Sequence, residues 1–302
     1  MQMWVACSCT SRLGSTLLWC RIDPQCTLNR PRANWKKPME FHEHTFNTGE
    51  VTIHYVEGPA AGPPLVLLHG GSLRWQSFEP IMPDLAEDWH LYAPDFRGHG
   101  KSGRVPAAYR LQDYANDTSA FLQQQVAEMA VIFGHSLGGM VALLVAAQIP
   151  ERIRAVIVGD TPLTAEDWLA HLKRTRDDLV VWRDLAGGTH SVEEISEKVG
   201  NQWAAQNLYL NDPDMLSILI DDPESAAAGY EAAQMLPAIR CPVLLLQADP
   251  QAGGILPDTE VEQGLALLTK PAHIRLEGVG HGLHNEHNDV VLQAIKGFLQ
   301  TL

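Results

Sequence analysis

The sequence predicts an α/β fold with a mostly parallel sheet, wrapped by helices and interrupted by a helical insertion. Three observations carry this expectation. Short apolar runs at residues 65–68, 130–133, 155–158 and 242–246 are separated by helix-sized spacers. That is the pattern of strands buried on both faces and joined by crossovers. The run at 130–133 passes through Gly134-His135-Ser136-Leu137-Gly138-Gly139 straight into the apolar stretch 140–147. From about Thr161 to Met235 the strand-like runs stop and helix-like segments take over.

In chain order, residues 1–38 differ from the rest. They hold four of the five cysteines and six Lys/Arg against one acid, +5, which leaves −19 for the remainder of a chain of net charge −14. No positive n-region opens the chain, and Arg12 interrupts its apolar candidate, so a secretion signal is not expected. The four cysteines match no zinc spacing, and the segment is read as a disordered or mis-assigned extension ahead of Met39. Residues 41–46 and 51–56 are short alternating or β-branched runs around Asn47-Thr48-Gly49, a hairpin pattern. The strand at 65–68 ends in His69-Gly70-Gly71. Trp75 and Phe78 follow, either core residues or the lining of a pocket. A strand at 90–93 leads into Asp95-Phe96-Arg97-Gly98-His99-Gly100-Lys101-Ser102, and 111–125 has helical spacing. After the insertion, the strand at 242–246 runs into Gln247-Ala248-Asp249-Pro250. A last strand, 272–276, precedes Gly278-Val279-Gly280-His281-Gly282, and a helix over about 286–299 closes the chain.

Composition narrows the function. The acidic balance disfavours nucleic acid and anionic membrane surfaces as partners, and no apolar run approaches the roughly 18 residues of a membrane span. Cys241, the one cysteine of the body, precedes Pro242 at a strand start and reads as a buried small residue, a usage that suits a cytoplasmic enzyme.

The chemistry centres on Ser136. A serine at a sharp strand-to-helix turn needs small neighbours, and Gly134 and Gly138 supply them. The turn lifts the hydroxyl clear of the sheet at a helix N-terminus, where the dipole favours developing negative charge. This G-x-S-x-G stretch resembles the α/β-hydrolase superfamily, and the D-x-R-G-H-G-x-S loop at 95–102 is a second resemblance to it. The likeness extends from about Phe41 to the C-terminus. It implies a triad in the order Ser, acid, His. The Gly-x-Gly-His loop implies His281 as the base, and the His-Gly loop implies that Gly71 and Leu137 supply the oxyanion amides. For the acid, the resemblance favours Asp249, after the penultimate strand, although its loop is one residue short. Asp160, after the sixth strand, is the alternative. Asp95, Arg97 and His99 are expected to be structural, and residues 161–235 a helical cap between core segments 39–160 and 236–302.

The reading is thus a serine hydrolase acting on carboxylic esters of small to medium acyl substrates through an acyl-enzyme. A small-molecule, ester-like substrate is the expected partner. Within the fold, C–C bond cleavage of a diketone-type acid, lactone hydrolysis and cofactor-free haloperoxidase-like chemistry remain open. A ligand receptor on the same scaffold is the alternative of another class. His284, Glu286 and His287 follow His281 at a suggestive spacing, but a loop entering a helix splays them, and serine chemistry needs neither metal nor cofactor.

Overall fold

Side chains along the apolar runs alternate between two sides of one sheet. The computed structural model describes Trp19–Arg21 and residues 39–302. The first half of the chain forms β1 (Trp19–Arg21), β2 (His42–Asn47), β3 (Thr52–Glu57), β4 (Pro64–Leu68), α1 (Met82–Leu85), β5 (His90–Pro94), α2 (Leu111–Gln124), β6 (Ala130–His135), α3 (Leu137–Gln148) and β7 (Ile153–Gly159). Asn47 Oδ1 accepts the Gly49 amide at 2.8 Å in the β2–β3 turn, where Gly49 takes φ +100°. This Asx-type bond and the left-handed glycine let the hairpin close.

The insertion follows as α4 (Ala165–Arg174), α5 (Arg176–Leu185), α6 (Val192–Val199), α7 (Gln202–Leu210), α8 (Pro213–Asp221), α9 (Pro223–Ala227) and α10 (Ala232–Met235). Its helices start where short polar side chains satisfy the free N-terminal amides. Thr164, Ser191, Asn201, Asp212 and Asp222 each accept a bond from the first turn they precede. The chain returns to the sheet as β8 (Val243–Ala248), α11 (Asp258–Leu267) and β9 (Pro271–Leu276), then ends in α12 (Leu283–Glu286) and α13 (Asn288–Leu299). The closing helix expected over 286–299 thus begins earlier and breaks at His287, whose φ −132°, ψ 48° is not helical.

Among the described residues the sheet has nine strands in the order β1-β9-β8-β7-β6-β4-β5-β3-β2. The β2–β3 and β3–β5 pairs are antiparallel and the others parallel. The expectation of a disordered extension over 1–38 falls largely outside the described residues; the part described, Trp19–Arg21, pairs in parallel with His273–Arg275 at the sheet edge. Strands β4, β6 and β8 are buried along their whole length. Val66, Ile132 and Leu245 face one core with α2, α3 and the insertion; Leu65, Val131 and Leu244 face a second with α1, α12 and α13. This period-2 division, apolar on both sides, is why these strands are parallel and central. Helix α3 is buried on nearly all sides, so its apolar stretch lacks a polar face. No helix of the described residues is long and apolar enough to cross a membrane.

Candidate active site

Ser136 stands where β6 turns into α3, at φ 52°, ψ −118°. A serine persists in that region only when its surroundings over-determine the backbone, and here they do. The Ser136 amide donates to the Gly159 carbonyl at 3.0 Å, and Thr161 Oγ1 donates to the Ser136 carbonyl at 3.2 Å. The flanking glycines are sterically required: a Cβ on Gly134 would strike the Gly138 carbonyl, one on Gly138 the Leu68 carbonyl, and one on Gly139 the Thr161 hydroxyl. Ser136 and Leu137 are half-exposed, whereas the strand behind them is buried. The hydroxyl therefore projects at the positive end of a 12-residue helix.

His281 lies beyond β9, with its side chain 32% exposed. Its Nδ1 is 2.7 Å from Asp160 Oδ2. Because an ionised carboxylate only accepts, Nδ1 carries the proton and Nε2 is left as the basic nitrogen. The imidazole is thus paired with Asp160, the alternative acid, and not with Asp249, the preferred one. The Asp249 carboxylate accepts instead from the Gly278 amide (2.9 Å), the Gln251 amide (2.9 Å) and Arg275 (3.3 Å), so it caps its own turn and fastens the start of the histidine loop. Those two amides, with Arg275 behind them, hold its carboxyl below the usual range.

Asp160 ends β7 in a left-handed conformation, φ 42°, that turns its side chain towards His281. It is fully buried. The loop after β8 wraps this carboxylate in amides. Ile255 N donates to Oδ2 at 2.9 Å, and Leu256 N and Ala248 N donate to Oδ1 at 3.2 and 3.3 Å. Burial pushes the Asp160 pKa up, but the His281 bond and charge and these amides outweigh it and hold the carboxyl below its ordinary value.

The Gly70–Gly71 turn closes on the same point. A Cβ placed on Gly70 would lie 3.4 Å from Ser136 Cβ, so this strand end passes directly beside Ser136. The amides of Gly71 and Leu137 have no hydrogen-bond partner among the described residues, and Gly71 is exposed. The structure thus brings together Ser136, His281, Asp160, Leu137 and the Gly70–Gly71 turn, and leaves Asp249 out. No hydrogen bond joins Ser136 Oγ to His281 among the described residues; such bonds commonly tighten only in the substrate complex.

Comparison with known proteins follows this geometry. The family model described as alpha/beta hydrolase fold matches residues 63–249, more than half of the chain. The chain belongs to the α/β-hydrolase family. This α/β-hydrolase is 28% identical over 192 residues to a serine hydrolase-like protein of Danio rerio, covering 62% of the chain and 56% of that relative; it therefore spans little more than half the length of that curated relative. It is 26% identical over 276 residues to the pimeloyl-[acyl-carrier protein] methyl ester esterase of Xylella fastidiosa, covering 82% of the chain and 99% of that protein. Among solved structures, E-2-(acetamidomethylene)succinate hydrolase shares the fold at TM-score 0.72 and 19% identity, with 86% of this chain and 100% of that one covered.

Buried imidazoles, of which the sequence pointed only to His99 as structural, hold the loops of this α/β-hydrolase. His69 Nδ1 donates to the Gly70 carbonyl at 2.8 Å, and its Nε2 accepts the Phe96 amide at 3.0 Å. His99 Nδ1 donates to the Arg97 carbonyl at 2.9 Å, and its Nε2 accepts the Ser72 amide at 3.2 Å. Burial, with the charge of His69, pushes His99 down to about 3, which keeps the acceptor nitrogen free. The structural reading of the 95–102 loop is consistent with these contacts. Arg97 is fully buried on Asp117 (2.6 and 2.8 Å), and Asp95 accepts from His54 and from the Trp75 and Lys101 amides. Phe78 is core and stacks on His284 at 4.5 Å, while the half-buried Trp75 packs against the same cluster. His284 is fully buried while Glu286 is exposed and His287 half-buried, so the three do not converge.

Proposed function

We propose that this α/β-hydrolase is a serine hydrolase that cleaves carboxylic esters of small to medium acyl chain through an acyl-enzyme. One observation carries the reading: the imidazole of His281, held at Nδ1 by Asp160 at 2.7 Å, on a loop beside the strained Ser136 turn. A serine hydroxyl needs such a base to be nucleophilic at neutral pH. As Ser136 Oγ bonds to the ester carbonyl carbon, its proton passes to His281 Nε2. The carbonyl oxygen takes the negative charge and is met by the Gly71 and Leu137 amides at the helix N-terminus. The C–O bond to the leaving group then breaks, and the departing alcohol takes the proton from His281. Water repeats the sequence to release the acid and restore Ser136. Asp160 keeps the imidazole in its tautomer and stabilises its protonated form without accepting the proton.

The helical insertion serves as a cap over this site. Arg74, three residues beyond Gly71, donates to Asn207 Oδ1 at 2.7 Å and Gln206 Oε1 at 3.3 Å on α7, tying the insertion to the oxyanion loop. His171 on α4 is held below the usual histidine range, first by burial and then by the charge of His281. A lid of this kind excludes water and limits acyl size. The methyl ester esterase relative, matched over nearly its whole length, supports ester chemistry over the other reactions of the fold.

A panel of p-nitrophenyl esters of graded acyl length, assayed beside lactones and diketo acids, tests the reading. The parent is expected to turn over the shorter esters best, and Ser136→Ala to lose turnover by about 10⁴-fold or more at unchanged melting temperature. Turnover retained by folded Ser136→Ala, or none by the parent on any ester, contradicts it.

A further inference from the structure

His135, the residue before the nucleophile, is 2% exposed and faces three parts of the site at once. Its Nε2 lies 2.8 Å from the His281 carbonyl oxygen. A carbonyl only accepts, so Nε2 carries the proton and the ring donates. Its ring lies 4.7 Å from that of His281, centroid to centroid, and 4.9 Å edge-on from His284. On the other side, a Cβ placed on Gly70 would sit 3.0 Å from His135 Nδ1, so the imidazole also spaces the oxyanion loop. Nδ1 is buried and has no hydrogen-bond partner among the described residues. One side chain therefore touches the histidine loop and the oxyanion loop while its own backbone leads into Ser136.

The His281 loop needs such a tie. It runs between Gly278, at φ +71°, and Gly282, with Gly280 between them. A glycine-rich segment has more backbone freedom to lose than any other. The Asp160 bond fixes the far side of the imidazole and Asp249 holds Gly278 and Val279, whereas the main chain of His281 itself is held at its carbonyl by His135. Displacements of about 1 Å cost on the order of 10²-fold in rate when a base must meet its nucleophile.

We infer that His135 is a positioning residue for the proposed reaction: its Nε2–H pins the His281 main chain to the serine turn and so sets the distance from Nε2 of His281 to Ser136 Oγ. The inference rests on Ser136 and His281 being the catalytic pair. Burial, reinforced by the charge of His281, pushes the His135 pKa down to about 3. The ring therefore stays neutral and stays a donor at working pH, and it adds no second positive charge behind the base. His284, fully buried against it and held well below the usual range by burial, is neutral as well.

The test compares His135→Phe, which keeps a ring but has no donor, with His135→Gln, whose amide nitrogen reaches about as far as Nε2. His135→Asn, too short for the carbonyl, stands in for the phenylalanine variant should that one not fold. Each is assayed on the best p-nitrophenyl ester with kcat per titrated active site, KM and melting temperature, beside Ser136→Ala. The expected result is a kcat loss of about 10- to 100-fold in His135→Phe or His135→Asn with KM within twofold, and recovery of most of that loss in His135→Gln. Parental kcat in the donorless variants, or equal impairment of all three, overturns the inference. Inactive Ser136→Ala alongside fully active His135→Phe removes this inference alone, whereas active Ser136→Ala removes the catalytic reading beneath it.

Discussion

Asp160 shows how much local arrangement one buried carboxylate requires. It occupies a left-handed backbone position, is wholly buried, and accepts three amides besides the imidazole. A carboxylate in that setting stays ionised and does not move, which is what orienting His281 demands. Asp160→Asn is accordingly expected to lower kcat per active site by about 10⁴-fold with little change in KM. Asp249→Asn is expected to leave kcat within a fewfold, its effect falling on thermal stability through the turn it caps. Reversal of the two outcomes would return the acid to the loop after β8. Ser136, His281, Leu137 and Gly71 were legible in the sequence because glycines mark the turns that carry them. The choice between the two acids was not. Both follow an apolar strand, and what separates them, a positive φ at Asp160 and the direction of amides around residues 248–256, leaves no compositional trace.

At the scale of elements, the serine turn works because β4, β6 and α3 meet without side chains between them. The Gly138 contact is with backbone, the Leu68 carbonyl, and cannot be relieved by a rotamer change. Gly138→Ala is therefore expected to cost about 3 kcal/mol or more. Gly297, on the exposed side of α13, has nothing within 4 Å of a would-be Cβ. Gly297→Ala is expected to add about 0.5–1 kcal/mol from helix propensity alone. Chemical denaturation of the two variants checks both signs. Apart from β1, the strands and α3 could be read ahead of the structure because their hydrophobic runs have one explanation each. Helix α11 and the division of the last helix at His287 could not, since both depend on where the chain must turn to reach the sheet.

For the whole molecule, the join between sheet and insertion carries a titrating group. Glu260 on α11 is 1% exposed, accepts the Leu163 amide and faces Asp167 at the start of α4. Burial first, and the neighbouring Asp167 carboxylate second, push its pKa up to about 8. An unfolded glutamate ionises near 4.5. The folded chain therefore holds the extra proton between those values, and its stability falls as pH rises through that window. Glu260→Gln, neutral throughout, should abolish that part of the slope and melt on the order of a few degrees above the parent at pH 9. Parallel melting curves for the two proteins from pH 5 to 9 would rule out this role. The acidic surface and the helical character of residues 161–235 were plain in the sequence. This pair, a buried Glu260 beside a half-buried Asp167, was not, because acids 93 residues apart meet only once the insertion is folded onto the core.

The central claim is that Ser136 is the nucleophile that His281 activates. Reaction with a fluorophosphonate followed by peptide mass spectrometry tests it most directly. One adduct per chain, on Ser136, is the predicted result, forming at the parental rate in Asp249→Asn and orders of magnitude more slowly in Asp160→Asn. An adduct on another residue, or none on Ser136 in the folded parent, would contradict the account.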